Sequence, residues 1–183
     1  DVSIADAMIL VADGADVSID GLHLEGTDEF TMFDQGGFSG LRVDVPADAT
    51  GTVSVVMEDA SVDNVGLHGI YIEDQELASA ASIRLELDRV EVTDAGVGGF
   101  DEDGVRVNEG GAGHLEFHAT SSSFLRAGAD GVELDERGAG DVRFRVRDSD
   151  FVANGNYCSD RLSDGVDDDL IEAEFDTERQ ALD

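Results

Sequence analysis

The sequence predicts an all-β solenoid, a right-handed parallel β-helix of about five to six coils, and three observations predict it. The first is a recurring Gly-apolar-x-apolar string: Gly40-Leu41-Arg42-Val43, Gly69-Ile70-Tyr71-Ile72, Gly104-Val105-Arg106-Val107 and Gly131-Val132-Glu133-Leu134, with Gly165-Val166-Asp167-Asp168 a degraded fifth. The second is an alternating strand after each of the first four strings: Val53-Ser54-Val55, Ile83-Arg84-Leu85, Leu115-Glu116-Phe117 and Val142-Arg143-Phe144. The third is an apolar site nine residues beyond each of those strand starts, at Val62, Val92, Phe124 and Phe151.

Each element follows from the demands of stacking. Strands of one coil must hydrogen-bond to their equivalents about 4.8 Å above and below, so strand spacing is held constant while loops point outward and vary. Length variation here is confined to two places, between the first and second strands and before the next Gly-apolar string. Alternation sends Val, Leu, Ile and Phe inward and Arg, Glu, Ser and Asp outward. A glycine follows each third site by four residues, at Gly66, Gly96, Gly128 and Gly155, which suggests a turn with positive φ. An antiparallel sandwich also yields short alternating strands but does not explain the repeat. Helical solenoids are disfavoured because β-branched residues dominate the apolar sites and no segment keeps a 3.6-residue period.

Charge narrows the partners. The 183 residues include 43 acidic side chains against 11 arginines and no lysine, a formal net charge of −32. Nucleic acid and anionic membrane surfaces are therefore poor partners, whereas divalent cations, cationic partners or a salty medium suit such a surface. The acidic excess resembles that of proteins from halophilic or marine organisms. Hydrophobic residues still make up 41%, and their alternation argues for a folded chain. Cys158 stands alone, which excludes an internal disulfide, and no apolar run is long enough to insert in a membrane. Residues 1–183 read as a single domain. The chain opens at Asp1 inside patterned sequence, and Leu170 to Asp183 looks like a coil cut short, so a module or fragment of a longer protein is expected, with another chain stacking on a coil end.

Val17-Ser18-Ile19-Asp20-Gly21-Leu22-His23-Leu24-Glu25-Gly26 and Asp130-Gly131-Val132-Glu133-Leu134-Asp135 resemble the coil patterns of the right-handed parallel β-helix, or pectin-lyase-like, superfamily. The resemblance covers roughly residues 8 to 175 and implies an extracellular, periplasmic or cell-surface protein. That superfamily includes polysaccharide lyases and hydrolases, epimerases, phage tail proteins and adhesins. In its lyases an arginine or lysine acts as base beside calcium-binding carboxylates, and Arg106 is the residue that matches. Aromatic residues that grip sugars are scarce here, and asparagine ladders are reduced to Asn64 and Asn154.

Outward positions of the first strand should form one ladder, Arg42, Tyr71, Arg106, Glu133 and Asp167, with Arg106 and Glu133 paired one coil apart. Asp103, Asp130 and Asp164 each precede the strand glycine and should lie above one another. Calcium, which takes six to eight oxygens, would relieve their repulsion, with Asp101, Glu102 and Asp160 completing a sphere. Glu73, Asn108, Asp135 and Asp169 form a second ladder at the strand's exit. Other chemistry is disfavoured. Gly110-Gly111-Ala112-Gly113-His114-Leu115 begins like a calcium nonapeptide repeat, but leucine stands where aspartate is needed. His114 and His118 lie about 13 Å apart along a strand, too far for both to ligate one zinc ion. Cys158 has no histidine nearby in sequence, and Ser121-Ser122-Ser123 lacks a nucleophile elbow.

The expected function is a non-enzymatic extracellular or cell-envelope module with a structural, adhesive or carbohydrate-binding role, stabilised by calcium. A polysaccharide lyase-like or epimerase-like enzyme using Arg106 is the second reading, and a self-stacking assembly subunit the third.

Overall fold

The structure, a computed structural model, describes residues 7–11, 16–26, 38–74, 78–96, 102–155 and 171–175. Among them there are sixteen strands and no helix: β1 (Ala7–Val11), β2 (Val17–Asp20), β3 (His23–Glu25), β4 (Ser39–Asp44), β5 (Thr52–Glu58), β6 (Ser61–Val65), β7 (Ile70–Glu73), β8 (Ser82–Asp88), β9 (Glu91–Ala95), β10 (Val105–Glu109), β11 (Leu115–Thr120), β12 (Ser123–Leu125), β13 (Val132–Glu136), β14 (Val142–Arg147), β15 (Asp150–Val152) and β16 (Ile171–Phe175). Every third strand pairs in parallel. The first sheet runs β1-β4-β7-β10-β13-β16, the second β2-β5-β8-β11-β14 and the third β3-β6-β9-β12-β15. The chain is thus a parallel β-solenoid with five complete three-strand turns and the first strand of a sixth.

The registers follow the repeat. Leu41, Ile70, Val105 and Val132 pair in succession in the first sheet. Val53, Ile83, Leu115 and Val142 do so in the second, and Val62, Val92, Phe124 and Phe151 in the third. All of these are buried except Val142 and Phe151, which pack partly covered against the same core. Aromatic rings fill the later turns, where Phe124 lies 6.5 Å from Phe117 and stacks at 4.9 Å on Phe151. Burying each such side chain is worth about 1.5–3 kcal/mol, and the column of them holds the three sheets together. At β14 the inward row loses its cover, leaving Phe144, in register with buried Phe117, 52% exposed.

Two predictions need correction. The first concerns the degraded fifth string. Val132 pairs with Ile171 and Glu133 with Glu172, not with Val166 and Asp167. The chain inserts five more residues before re-entering the sheet, and Ile171 and Ala173 keep the apolar alternation that Val166-Asp167-Asp168 lacks. Glu172 and Glu174 thus hold the places next to Glu133 and Asp135 that were expected of Asp167 and Asp169, which lie outside the described residues. The second concerns the turn glycines. Gly96 and Gly155 do have positive φ, 71° and 74°, but Gly66 and Gly128 do not. The constant left-handed position lies two residues after the third site, at Asn64, Asp94, Arg126 and Ala153, with φ of 55°, 52°, 54° and 59°. A matching column closes the second strand, at Gly21, Asp59, Arg89, Ser121 and Asp148. There the backbone must turn sharply between sheets, and the turns stack through Asp59, Arg89 and Ser121 N–H groups donating to the carbonyls of Asp88, Thr120 and Arg147 at 3.0–3.1 Å.

Candidate functional site

The outer face of the first sheet carries a network of buried and half-buried polar side chains. Cα pairing sets Arg42, Tyr71, Arg106 and Glu133 in one row, and Asp44, Glu73, Asn108 and Asp135 in the next. Arg106 is the hub. Its Nη1 donates to Glu133 Oε2 at 2.6 Å and to Asp103 Oδ2 at 3.3 Å, while Nε donates to Asn108 Oδ1 at 3.2 Å. Asn108 passes the network on, donating through Nδ2 to Glu73 Oε2 at 3.0 Å and to the Tyr71 hydroxyl at 3.3 Å. Tyr71 itself is sandwiched, with the Arg42 guanidinium 5.3 Å from its ring centroid and the His68 ring 4.8 Å away. The predicted Arg106–Glu133 pair therefore exists, but within a partly dry network and not as a free surface contact.

The residues before the strand glycines form a column, as their spacing predicts. Gly40 N–H donates to the His68 carbonyl, Gly69 N–H to that of Asp103 and Gly104 N–H to that of Asp130. His68 thus stands in the same column as Asp103 and Asp130. The Asp103 backbone N–H donates to His68 Nδ1 at 3.0 Å, which leaves Nε2 to carry the proton toward Glu102 Oε2, 2.7 Å away. Asp103 is 1% exposed. Its Oδ1 accepts the Asp130 N–H at 3.0 Å. Burial, reinforced by the neighbouring Glu133 charge, pushes its carboxyl well above the usual range, against the opposing pull of the Asp130 N–H and Arg106.

Oxygens of Asp103, Asp130 and Glu133 lie within 4.8 Å of one another. Two ligands of one calcium ion, each at 2.3–2.6 Å, can stand that far apart, so the all-oxygen donor set fits a hard cation. Glu102, Asp103, Asp130, Glu133 and Asp135 outnumber Arg106 and Arg137 here. Asp135, 1% exposed, has Oδ2 at 2.6 Å from Arg137 Nη2 and 4.0 Å from Arg106 Nη2, yet no well-formed hydrogen bond reaches either of its oxygens.

Of the predicted metal ligands, Asp103 and Asp130 are brought together, and Glu102 joins them through His68. Asp101 and Asp164 lie outside the described residues, as do Asp160 and Cys158. Glu133 was expected as an ion-pair partner and is also part of the carboxylate cluster. His68 was missed, although its place before Gly69 was readable from the same alignment of strings. His114 and His118 go separate ways, His114 Nδ1 accepting the Asp141 N–H at 3.0 Å and His118 lying 3.3 Å from Glu116.

A second acidic column was not anticipated. Asp74, Glu109 and Glu136 follow one another on successive turns, Asp74 N–H donating to the Asn108 carbonyl and Glu109 pairing with Glu136. All are buried. Each closes a loop: Asp74 accepts from Ser79 N–H and Oγ–H at 2.9 Å, Glu109 from Gly111 N–H at 3.0 Å, and Glu136 from Gly138 N–H at 2.8 Å. Burial, and then the hydrogen bond and charge of Glu109, push the Glu136 carboxyl up to about 8. The signal was Glu-x-Gly-Ala-Gly, present at Glu109–Gly113 and again at Glu136–Gly140.

No family model, curated protein or solved structure matches the chain.

Proposed function

We propose that the chain is a non-enzymatic extracellular or cell-envelope module, distantly akin to the pectin-lyase-like β-helices, that binds carbohydrate on the outer face of its first sheet. In this reading calcium is held by Asp103, Asp130 and Glu133. The observation that carries it is the convergence of those three carboxylates, on two adjacent rungs of a rigid sheet, to within 4.8 Å. The surplus of carboxyl groups over guanidiniums supports it further, because the cluster keeps negative charge after Arg106 has paired. A cation there would bridge two turns and leave coordination positions open to ligand hydroxyls. Extracellular modules bind calcium with dissociation constants of about 10⁻⁴–10⁻³ M, within reach of so few carboxylates.

The test is thermal unfolding in millimolar Ca²⁺ against ionic-strength-matched NaCl, together with terbium luminescence. The expected outcome is an added rise in Tm with Ca²⁺, since a ligand at 100 times its Kd stabilises by about 2.7 kcal/mol. Asp130→Asn and Glu133→Gln should each remove that increment. Equal shifts in the two salts would reject the reading.

One observation favours an acid–base reading instead. Burial pushes the Asp103 carboxyl up to about 8 beside Glu133 and an arginine, the kind of raised carboxyl that proton-transfer sites use. Incubation with uronate-rich polysaccharides decides it: turnover lost in Arg106→Ala and Glu133→Gln would establish the enzyme, and no turnover would exclude it.

A further inference from the structure

The second sheet carries a groove of about 240 Å³ across the outer face of β5, β8, β11 and β14. Two rows of side chains make its floor. One runs Val56, Glu86, His118, Arg145 and the other Glu58, Asp88, Thr120, Arg147. Both change from acid to base along the axis of the solenoid, so the groove is anionic at one end and cationic at the other.

The cationic end stands apart from every other arginine described. Arg42, Arg84, Arg89, Arg106, Arg126 and Arg137 are each ion-paired. Arg143, Arg145 and Arg147 are exposed, and among the described residues none has a side-chain hydrogen bond or ion pair. In a chain with 43 acidic side chains that is not for want of partners. It follows from register: the strand below offers His118 under Arg145 and Thr120 under Arg147, while Glu116, under Arg143, lies 3.3 Å from His118. Residues two apart on a strand are about 6.8 Å apart and share a face, so two guanidiniums bracket a space the size of one oxyanion. Guanidinium forks match carboxylate and phosphate oxygens, and these two give up no existing partner to bind one.

We propose that this groove binds a small polyhydroxylated molecule carrying one oxyanion, the oxyanion seated between Arg145 and Arg147 and the hydroxyls facing Glu58, Glu86 and Asp88. Ionised carboxylates only accept hydrogen bonds, so they suit hydroxyl donors and repel a second anion. A net charge of −32 likewise disfavours a polyanion over a singly charged ligand. The site lies on a different sheet from the carboxylate cluster and stands or falls without it.

Binding is measured by calorimetric titration of the full chain at fixed ionic strength with glucose 6-phosphate, glucuronate and unmodified glucose. One or both charged sugars should bind at least tenfold more tightly than glucose, and the tighter of the two identifies phosphate or carboxylate as the oxyanion. Arg145→Gln/Arg147→Gln should weaken that binding roughly tenfold or more with Tm unchanged, whereas Arg126→Gln, just beyond β12 of the third sheet with its guanidinium paired to Asp94, should not. Glucose binding as well as the charged sugars, no saturable binding of either charged sugar, or equal loss in Arg126→Gln would each overturn the proposal. Preferential binding of an acidic peptide with the sequence of residues 16–20 would also overturn it, and would make the arginine strand an interface for a second copy.

Discussion

Glu136→Gln tests whether the buried Glu109–Glu136 pair holds a proton. Glu136 is 3% exposed and accepts the Gly138 N–H through Oε1; the Gly140 N–H also favours its ionised form, but burial and the adjoining Glu109 outweigh both. In an unfolded chain its carboxyl titrates near the ordinary 4.5; in the fold burial raises it to about 8. Between those values the native state holds a proton that the unfolded state has released. Stability therefore falls as pH rises through that window, by about 1.4 kcal/mol per pH unit, and is level on either side. Glutamine keeps the acceptor for Gly138 and a donor for Glu109 but does not titrate. The variant should lie within about 1 kcal/mol of the wild type near pH 5 and gain on it steadily up to pH 8, then no further. Urea unfolding at pH 5, 6, 7, 8 and 9 reads this directly. A difference between the two proteins that is flat across pH 5–8 would refute a shared proton, because Asp103 and all other titrating groups are common to both.

Other outcomes follow from contact geometry. A Cβ on Gly113 would stand 1.9 Å from the Ala81 carbonyl oxygen, whereas one on Gly51, with φ of 83°, would meet nothing within 4 Å; Gly113→Ala should cost about 3 kcal/mol or more in chemical denaturation, and Gly51→Ala only about 1–2. Ser121, exposed and held at φ of 51°, should tolerate glycine with stability unchanged or raised by up to about 1 kcal/mol, and a loss greater than that would mean its hydroxyl matters. Arg106→Ala removes the guanidinium from Asp103 and Glu133; the expected loss is about 2 kcal/mol at pH 8 and less at pH 5, where Asp103, pushed up to about 8 by burial, holds a proton, and equal losses at both pH values would show that the arginine acts by packing alone.

The solenoid was legible because its signal is repeated: one misread string does not displace four others, and register errors of a single residue would have thrown Leu41, Ile70, Val105 and Val132 to the wrong face. The fifth string failed where only one glycine and one valine carried the match. The carboxylate cluster was half legible, through the acids that precede glycine and the Arg106–Glu133 pair, but the further reach of Arg106 to Asp103 and Asn108 was not, since it depends on packing. Asp74, Glu109 and Glu136 were read past because acids in an acidic chain look solvated. Only the structure distinguishes the few that are sealed between turns from the many that are not.

Partners in all three sheets lie one turn apart in sequence, from 27 residues between Val105 and Val132 to 39 between Val132 and Ile171. No strand needs a distant part of the chain to complete it. Cohesion is therefore local, each rung resting on the one before, and a lesion in one rung is felt by its two neighbours and fades beyond them. Such a molecule should come apart from its ends, with amide exchange fastest in the terminal rungs and slowest around β7 to β12. Those central rungs carry Tyr71, Asp103 and Arg106, so the polar face is mounted where the stack is last to loosen.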